Sequence, residues 1–366
     1  MKNSMTRQSR KRKRIRGVND LTIGVDLGDK TSRYCIIDSN GEVVKEGGVA
    51  RTRKGIREKF GELKRSRIAL EVGPHSPWVS RLLAELGHEV IVANPRQLKL
   101  ITESSRKCDP VDAQTLARLA RVDPVLLRPI RHRSEQAQMD LMVIRARAAL
   151  VIARTSLVNT ARGLAKSVGE RLPKVDAEAL DLEHANELPE ALRQVLKPIL
   201  NSVEELTAKI KAADKDIEQI ARARYPETKL LMQVSGVGPL IALTFVLTIE
   251  DNSRFAKSRD VGCFVGLRPR RADSGECRPQ LPITKEGDVY LRALLVQGAH
   301  CILSRQGPDT DLKRWGERMA NGRGKNAKKR AIVAVARKLA VLLHRLWVTG
   351  EVYDPLRNSN MQIAAA

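Results

Sequence analysis

The chain has 366 residues, enough for two or three domains with separate cores, and 42% of them are hydrophobic, as in an ordinary globular protein. Lys and Arg number 66 against 42 Asp and Glu, and this net charge of +24 favours a polyanion partner, nucleic acid before a membrane surface. The five cysteines are scattered without C-x-x-C spacing, which argues against a disulfide framework and a zinc site, and the most apolar stretch, from Ala331, carries too many charges to span a bilayer.

The first predicted elements form an α/β domain, residues 17–130, that follows a basic tail. Residues 1–16 have almost nothing to bury and are predicted to be disordered, either as a solvated tail or as a nucleic-acid arm. From Leu21, three strands linked by hairpin turns lead to a helix at 54–64, a strand at RIALEV, a helix at 76–86, a strand at HEVIVAN and a helix at 112–120. This order predicts a mixed sheet with helices packed on it.

Residues 131–225 are predicted to be a helical, coiled-coil linker. One helix runs from about 134 to 171, and a second begins near Pro198, because proline suits the first helical position. Apolar residues of the second helix alternate spacings of four and three, which is a heptad seam made of Ile199, Val203, Leu206, Ile210, Ala213, Ile217 and Ile220. The periodicity predicts either an intramolecular helical hairpin or a dimer contact and does not separate the two.

The last predicted domain, residues 226–350, is mainly α-helical. VSGVGPLIALTFVLTI places two glycines before an apolar helix, as in a turn that offers backbone N–H groups to phosphate or in a plain helix corner. A polar loop rich in glycine and arginine then runs from Gly266 to a helix that starts near Asp288, and basic helices follow. Residues 351–366 are predicted to be a flexible tail.

Four acids occupy positions where a carboxylate needs a positive partner. Asp26 ends the strand in IGVDLG, Glu71 ends the strand in IALEVG, and Asp109 and Asp112 lie three apart, on one face, at the start of a helix. Singly, each has a structural explanation as a turn residue, an arginine partner or a helix-capping acid. Together they have the layout of the ribonuclease H-like nuclease fold, as in Holliday-junction resolvases of the RuvC type. Such carboxylates form a cage for divalent cations, and two metals ~3.5–4 Å apart could polarise one scissile phosphate.

The order of these motifs resembles one protein family. KCDPVDAQTLA is similar to the K-x-D-x-x-D-A-x-x-L-A stretch of the DEDD transposases of the insertion-sequence IS110 type, which are related to the pilin-gene invertase. VSGVGPLIALTFV, GLRPRRADSGE and ITKEGDVYLRALL resemble the C-terminal transposase domain of that family. The resemblance covers most of the chain. It departs from the family pattern at Asp273, where a second serine is frequent, and in the basic tail.

This resemblance implies a recombinase that cuts and rejoins DNA. Asp26, Glu71, Asp109 and Asp112 would hold Mg²⁺, with Mn²⁺ able to substitute, and Ser274 of the C-terminal domain would attack the phosphate and form a phosphoserine link. The implied partners are double-stranded donor and target DNA and a structured guide (bridge) RNA from the non-coding end of the element. A homodimer or tetramer is expected because recombination holds two duplexes at once. No membrane partner is expected, and the expected location is the cytoplasm, at the nucleoid when bound to DNA.

Cationic residues near Ser274 could neutralise a phosphate. The predicted nucleic-acid contacts are Arg268, Arg270, Arg271, Arg278, Lys285 and Arg292. Because aromatic residues make up only 3% of the chain, phosphate contacts rather than base stacking should dominate binding. Serine is a weak nucleophile that a nearby metal site would activate. Read alone, Asp-Ser-Gly is an ordinary turn tripeptide, and Cys277 is a chemically credible rival nucleophile.

Three functions therefore compete, led by a DNA transposase or recombinase. The first alternative is a metal-dependent, structure-specific endonuclease of the Holliday-junction resolvase class, which uses the acids and water with no covalent step. The second is a non-catalytic RNA-binding or architectural protein whose acids are helix caps. A tyrosine recombinase is disfavoured because no tyrosine lies in an Arg/His/Arg/Tyr-like context, and Tyr290, at a helix start, is more simply a packing residue.

Overall fold

The structure, a computed structural model, describes residues 21–94, 109–275, 277, 279, 281–321 and 326–359, and of residues 109 and 110 the backbone alone. The basic tail, for which the sequence predicts disorder, lies outside the described residues. The chain divides into two compact units, with the boundary between Arg133 and Ser134. No helix in the described part of the chain is both long and apolar enough to cross a membrane.

The first unit is built on a five-stranded mixed sheet. The strands are β1 (Thr22–Asp26), β2 (Thr31–Ile37), β3 (Val43–Ala50), β4 (Arg67–Glu71) and β5 (Glu89–Ala93), in the order β3-β2-β1-β4-β5. Strand β2 is antiparallel to both of its neighbours, whereas β1, β4 and β5 run parallel to one another. This confirms the predicted mixed sheet and its hairpin-linked first three strands.

Helices cover both faces of this sheet, because side chains along each strand alternate between the faces. One face packs on α1 (Arg53–Gly61) and α2 (Ser76–Glu85) through buried apolar residues such as Val25, Leu70 and Phe60. The other face packs on α3 (Asp109–Val122), whose buried side chains include Ala113, Leu116, Ala117 and Ala120. Two apolar faces of one sheet are thus removed from water, which supplies much of the stability of this unit.

Helix α3 approaches the sheet so closely that the central strand has room only for glycine. A Cβ atom added at Gly24 of β1 would lie 1.9 Å from the carbonyl oxygen of Ala113 and 2.6 Å from the amide nitrogen of Ala117. Both atoms belong to the backbone of α3, so neither can move aside without moving the helix. The distance between the helix and the sheet is therefore set by backbone contact at Gly24.

We expect Gly24→Ala to destabilise the protein by about 3 kcal/mol or more, because the added methyl group forces the helix off the sheet. Gly73→Ala is the matched control, since a Cβ atom there meets nothing within 4 Å, and its effect should stay within about 0.5 kcal/mol. The measurement is the free energy of unfolding from denaturant titration of both variants. Equal stabilities would show that α3 does not rest on Gly24.

The second unit begins with a long antiparallel helical hairpin, α4 (Glu135–Ser167) and α5 (Glu190–Arg224). Arg147 of α4 holds the Asp214 carboxylate of α5 with two hydrogen bonds of 2.8 and 3.2 Å, and Arg154 donates to the Thr207 hydroxyl at 3.1 Å. The heptad seam is covered within the chain at Val203, Ile210 and Ile217, which are 0%, 3% and 1% exposed. The seam therefore forms the predicted intramolecular hairpin, and the dimer contact stays a prediction.

The second helix of the hairpin begins at Glu190 rather than at Pro198, so this predicted start is wrong. Pro198 lies inside the helix, at a position exposed to solvent. An interior proline costs about 3 kcal/mol through its lost hydrogen bond and ring clash. Leu196 and Leu200 flank it and are fully buried, and each contributes about 1.5–3 kcal/mol on burial, which offsets that cost.

The remaining helices pack around one apolar core. They are α6 (Thr228–Leu231), α7 (Pro239–Ile249), α8 (Arg259–Phe264), α9 (Val289–Ile302), α10 (Asp311–Ala320) and α11 (Ala327–Thr349). Helix α7 is buried along almost its whole length and lies against α9 and against the hairpin helices α4 and α5. The described chain after the sheet is thus mostly helical, as predicted.

The segment 351–359, predicted as part of a flexible tail, is instead held against the helices. The Tyr353 amide donates to the Gln233 side chain at 2.9 Å, and the Asn358 amide donates to Asp311 at 2.7 Å. The Asp311 amide in turn donates to the Pro355 carbonyl at 2.8 Å. These hydrogen bonds join residues far apart in sequence, so the composition of the segment gives no signal of them, which explains the difference from the sequence prediction.

Candidate active site

Two of the four predicted acids lie side by side at one edge of the sheet. In the parallel pair of β1 and β4, Val25 is opposite Leu70, so Asp26 and Glu71 are the next residues on their strands. Neighbouring strands are ~4.8 Å apart, and residues at the same level of parallel strands point to the same face. Both side chains are half-buried. The predicted adjacency of these two strand ends is therefore confirmed.

Helix α3 lies on that same face and runs opposite to β1. Its residues Ala113 and Ala117 touch β1 at Gly24, two residues before Asp26. Further along the helix, the Ala120 carbonyl accepts a hydrogen bond of 3.2 Å from Arg67, at the start of β4. The carboxyl end of α3 therefore lies at the beginning of the strands, and its amino end lies where Asp26 and Glu71 are.

The rise per residue places the helix acids near the level of the strand acids. Asp26 lies ~6.6 Å beyond Gly24 along β1. Measured from the middle of the Ala113–Ala117 contact, Asp112 lies ~4.5 Å and Asp109 ~9 Å towards the amino end of α3, so the two bracket Asp26. Asp112 is half-buried, and the Asp109 side chain lies outside the described residues. Among the described side chains, no three His, Cys, Asp or Glu are close enough together to form a ligand set.

Two arginines lie near the end of β1, and one of them supports the turn that follows Asp26; sequence reasoning missed both. Arg33 is the partner of Asp26 in the antiparallel register of β1 and β2, but its exposed side chain extends over Gly48 of β3, with Nη1 3.4 Å from the position of a Cβ atom added at that glycine. Arg51, largely buried, donates to the Gly28 carbonyl and forms an ion pair of 3.5 Å with Asp29. Neither arginine belongs to a motif. The alternation of the hairpin strands was the one signal for Arg33, since it sets which residues face each other.

A serine and a histidine support the turn that follows Glu71. Ser76 Oγ lies 2.8 Å from the Gly73 carbonyl oxygen, to which it donates, and 2.9 Å from Nε2 of His132. Burial lowers the pKa of His132, and the neighbouring Arg81 and Arg133 lower it further. The neutral ring can then donate from Nε2 to the serine oxygen. Both acid-bearing strand ends are therefore followed by turns that side chains stabilise.

Ser274 lies in a two-stranded ribbon of the second unit. We call residues 267–284 the serine ribbon, within which residues 276, 278 and 280 lie outside the described residues. At its base, the Thr284 amide donates to the Arg268 carbonyl and the Arg270 amide to the Pro282 carbonyl, both at 2.9 Å. The segment predicted as a polar loop rich in glycine and arginine therefore begins as a paired hairpin.

A tight turn closes the tip of the serine ribbon. The Ser274 amide donates to the Cys277 carbonyl at 3.2 Å, and the Cys277 amide donates back to the Ser274 carbonyl at 3.0 Å. Gly275 has a φ of +56°, the left-handed region that hairpin turns of the primed types require. The turn explanation of Asp-Ser-Gly thus describes the local backbone. Ser274 and Cys277 are nevertheless both exposed, and their side chains are open to a partner.

The cations predicted to contact nucleic acid differ in exposure. Arg270 and Arg271 of the ribbon and Lys285 just after it are exposed, whereas Arg268 is half-buried. Arg278 lies outside the described residues. The exposed three, all close to the ribbon strands, form a positive surface that can attract phosphate.

Arg292 is placed differently from the other predicted contacts. Its side chain is 9% exposed, and its Nη1 atom donates to the Val265 carbonyl at 3.0 Å and to the Glu286 carbonyl at 2.9 Å. Burial leaves this guanidinium little access to a phosphate. Sequence position alone could not reveal this, because Arg292 lies only one helical turn after exposed residues of the loop.

Tyr290, predicted to be a packing residue, is half-buried against apolar clusters of the second unit. The predicted packing role of Tyr290 is therefore confirmed.

Two family models match the chain in order. Residues 23–169 match the model of a transposase of the DEDD IS110 type, which spans the sheet, both acid-bearing strand ends and α3. Residues 228–313 match the model described as the transposase of the IS116/IS110/IS902 family, which includes the serine ribbon.

Curated relatives are similar over nearly the whole chain. The transposase for insertion sequence element IS1111A of Coxiella burnetii is 29% identical over 93% of this chain and 94% of its own length. A probable family 20 transposase of Pseudomonas aeruginosa is 28% identical over 91% of this chain and 98% of its own length. The transposase for insertion sequence element IS1328 of Yersinia enterocolitica is 23% identical over 78% of this chain and 85% of its own length.

Proposed function

The chain is a DNA transposase of the IS110 family, and we propose that it cuts and rejoins DNA strands with a carboxylate metal site in the first unit and a serine nucleophile in the second. One observation carries the proposal above the others. Asp26 and Glu71 end adjacent parallel strands, and the amino end of α3, which bears Asp109 and Asp112, lies at the same edge of the sheet.

We propose that Asp26, Glu71, Asp109 and Asp112 hold Mg²⁺, or Mn²⁺ in its place. The donor set fits these ions, because all four ligands are hard carboxylate oxygens and the family model is of the DEDD type. When bound, such an ion neutralises charge on the scissile phosphate and favours the ionised form of an attacking hydroxyl. The turn that directly follows the first of these carboxylates is held by Arg51 at the Gly28 carbonyl.

The proposed nucleophile is Ser274. Its Oγ atom forms a bond to the scissile phosphorus while the bond between phosphorus and the leaving deoxyribose oxygen breaks. The serine hydroxyl gives up its proton to solvent, and the leaving oxygen takes one up. One phosphate ester replaces another, so the same link can be opened by a second DNA end and strands can be rejoined. Exposure of Ser274 and the neighbouring cations Arg270 and Arg271 support this role.

The fold of the first unit supports a ribonuclease H-like domain of the RuvC type, which we propose for it. The support is the strand order β3-β2-β1-β4-β5, with β2 alone antiparallel among the central strands, and the acids at the ends of β1 and β4. In the second unit, we propose that the long helical hairpin contributes to assembly and that the C-terminal helical region carries the strand-transfer serine.

We further propose that a structured guide RNA selects the DNA and that two or more copies of the chain assemble on it. The net charge of +24 provides enough Lys and Arg side chains to contact the phosphates of both DNA and RNA at the same time. Assembly of a homodimer or tetramer would supply one acid site and one serine for each strand to be exchanged.

The wild-type protein tests the proposal without substitution. The reaction contains the wild-type protein, DNA that carries the ends of the insertion element, Mg²⁺, and the RNA that copurifies with the protein. It should yield cleaved strands and a covalent protein–DNA adduct on a denaturing gel. Chelation of the metal should abolish both, while DNA binding persists. Cleavage that survives chelation would overturn the metal site, and binding without cleavage under either condition would favour an architectural protein.

A second candidate is a structure-specific endonuclease of the resolvase class. The closed turn at Ser274 favours it, because the turn accounts for Asp-Ser-Gly without any catalytic role. This enzyme would use the acids and water, so metal-dependent cleavage without a covalent adduct would identify it.

A further inference from the structure

Two glycines flank the serine ribbon where it joins the helical core. Each of them lies in backbone contact with the chain segment on the other side of the ribbon. Gly266, before the ribbon, and Gly287, after it, have φ values of +72° and +79°. A Cβ atom on Gly266 would lie 2.1 Å from the Glu286 carbonyl oxygen, and one on Gly287 would lie 1.9 Å from the Phe264 carbonyl oxygen. The two chain segments therefore cross in backbone contact at the base of the ribbon.

Arg292 of α9 joins the two crossing segments from inside the core. Its Nη1 atom donates to the Val265 carbonyl on the incoming segment and to the Glu286 carbonyl on the outgoing segment, at 3.0 and 2.9 Å. The two acceptors belong to residues that flank Gly266 and Gly287 in sequence. A single nitrogen thus holds both sides of the base at the point where the backbones touch.

The turn of α9 that carries Arg292 is itself anchored twice. Asp288 caps the helix, because one of its carboxylate oxygens accepts from the Leu291 amide at 2.8 Å. The other oxygen accepts from Arg145 of helix α4 at 2.5 Å, and Asp288 is 12% exposed in this ion pair. The first turn of α9 is therefore fixed to the long hairpin at the same time as it fixes the ribbon.

We propose that Arg292 is a positioning residue for Ser274: it locks the base of the serine ribbon to the first turn of α9 and contacts no nucleic acid. The inference rests on the proposed role of Ser274. The ribbon strands then move with α9 and with the α4–α5 hairpin, and only the tip beyond the paired base retains freedom. Loss of the arginine leaves both carbonyls without their donor and lets the base open, which displaces the serine.

The test compares Arg292→Met with Arg271→Met, which removes an exposed cation of the same ribbon. Without Arg292, hydrogen exchange at the Arg270, Thr284 and Lys285 amides, which pair across the base, should become roughly tenfold faster or more. Covalent adduct formation should fall about a hundredfold, as expected for a misplaced reacting group, while DNA affinity stays within about twofold. Arg271→Met should instead weaken DNA binding and leave hydrogen exchange at these amides unchanged.

Arg292→Lys keeps a cation at this position but cannot reproduce the guanidinium geometry, and it replaces Arg292→Met if that variant does not fold. If Arg292 holds the base of the serine ribbon, amide hydrogen exchange at the base should also be faster in this variant. The inference would be overturned if hydrogen exchange were unchanged and DNA affinity fell as much as in Arg271→Met. Arg292 would then again be assigned as a nucleic-acid contact. Hydrogen exchange is measured on the protein alone, so it tests the role of Arg292 at the base of the ribbon even if Ser274 is not the nucleophile. In that case the wild-type protein forms no adduct on Ser274.

Discussion

Replacement of Ser274 with alanine should lower DNA strand exchange by several orders of magnitude, because a nucleophile that acts as part of a unit cannot be replaced by its partners. Ser274 is exposed, and its backbone, not its side chain, makes the hydrogen bonds that close the turn. The alanine variant should therefore keep its fold and its affinity for DNA and RNA. The measurements are strand exchange, and mass spectrometry of the nucleotide-linked peptide from the wild-type protein, which should contain Ser274.

Cys277→Ala is the matched control for Ser274→Ala. Cys277 lies directly across the same turn, is exposed, and pairs with Ser274 through two backbone hydrogen bonds. Its removal should leave exchange within about twofold of wild type, because thiol chemistry plays no part in the proposed step. An adduct on Cys277 or on another residue, or full exchange by Ser274→Ala, would return Ser274 to the role of a turn residue and favour the resolvase-type endonuclease.

Asp26→Ala should abolish metal-dependent strand cleavage, a loss of at least about a thousandfold, because the carboxylate at the end of β1 is the first of the proposed ligands. The fold should be retained, since removal of one of two neighbouring carboxylates relieves repulsion between like charges. The affinity for Mn²⁺, measured by calorimetry on the protein without DNA, should fall as well. This measurement makes the result independent of the choice of DNA substrate.

Asp29→Ala provides the control for that substitution. Asp29 lies three residues further along the same turn, its side chain is 93% exposed, and its ion pair with Arg51 spans 3.5 Å. An ion pair whose carboxylate is so exposed contributes about 0–1 kcal/mol to stability, so cleavage and Mn²⁺ binding should both persist. Wild-type cleavage by Asp26→Ala, with unchanged Mn²⁺ affinity, would contradict the assignment of the acids to one metal site.

The sequence predicts the first unit well, because β1, β4 and β5 are short apolar runs bounded by turn residues and the Asn40-Gly41 turn marks the hairpin that leads into β3. Parallel neighbours end at one edge of a sheet, so the adjacency of Asp26 and Glu71 could be predicted once the strand order was known. The direction of α3 could not. It depends on the close approach at Gly24, and a lone glycine inside a strand does not reveal which backbone it faces.

The second unit shows why local patterns mislead. Proline near a helix start and proline inside a helix look alike until the burial of Leu196 and Leu200 on either side is known. Arg292 and Arg271 are equally basic in sequence, yet one is buried in the core and the other lies on the ribbon surface. Burial is a tertiary property, and charge patterning carries no information about it.

The docked segment 351–359 has a practical consequence for work with the protein. Composition alone suggests that a tag or a fused partner could be joined directly after Gly350. The chain beyond that glycine, however, completes the hydrogen bonding of Asp311 and brings Tyr353 against the helical core. A fusion joint after Ser359 keeps these contacts, whereas a joint at Gly350 would strip a polar cover from α10 and α11 and expose apolar surface to aggregation.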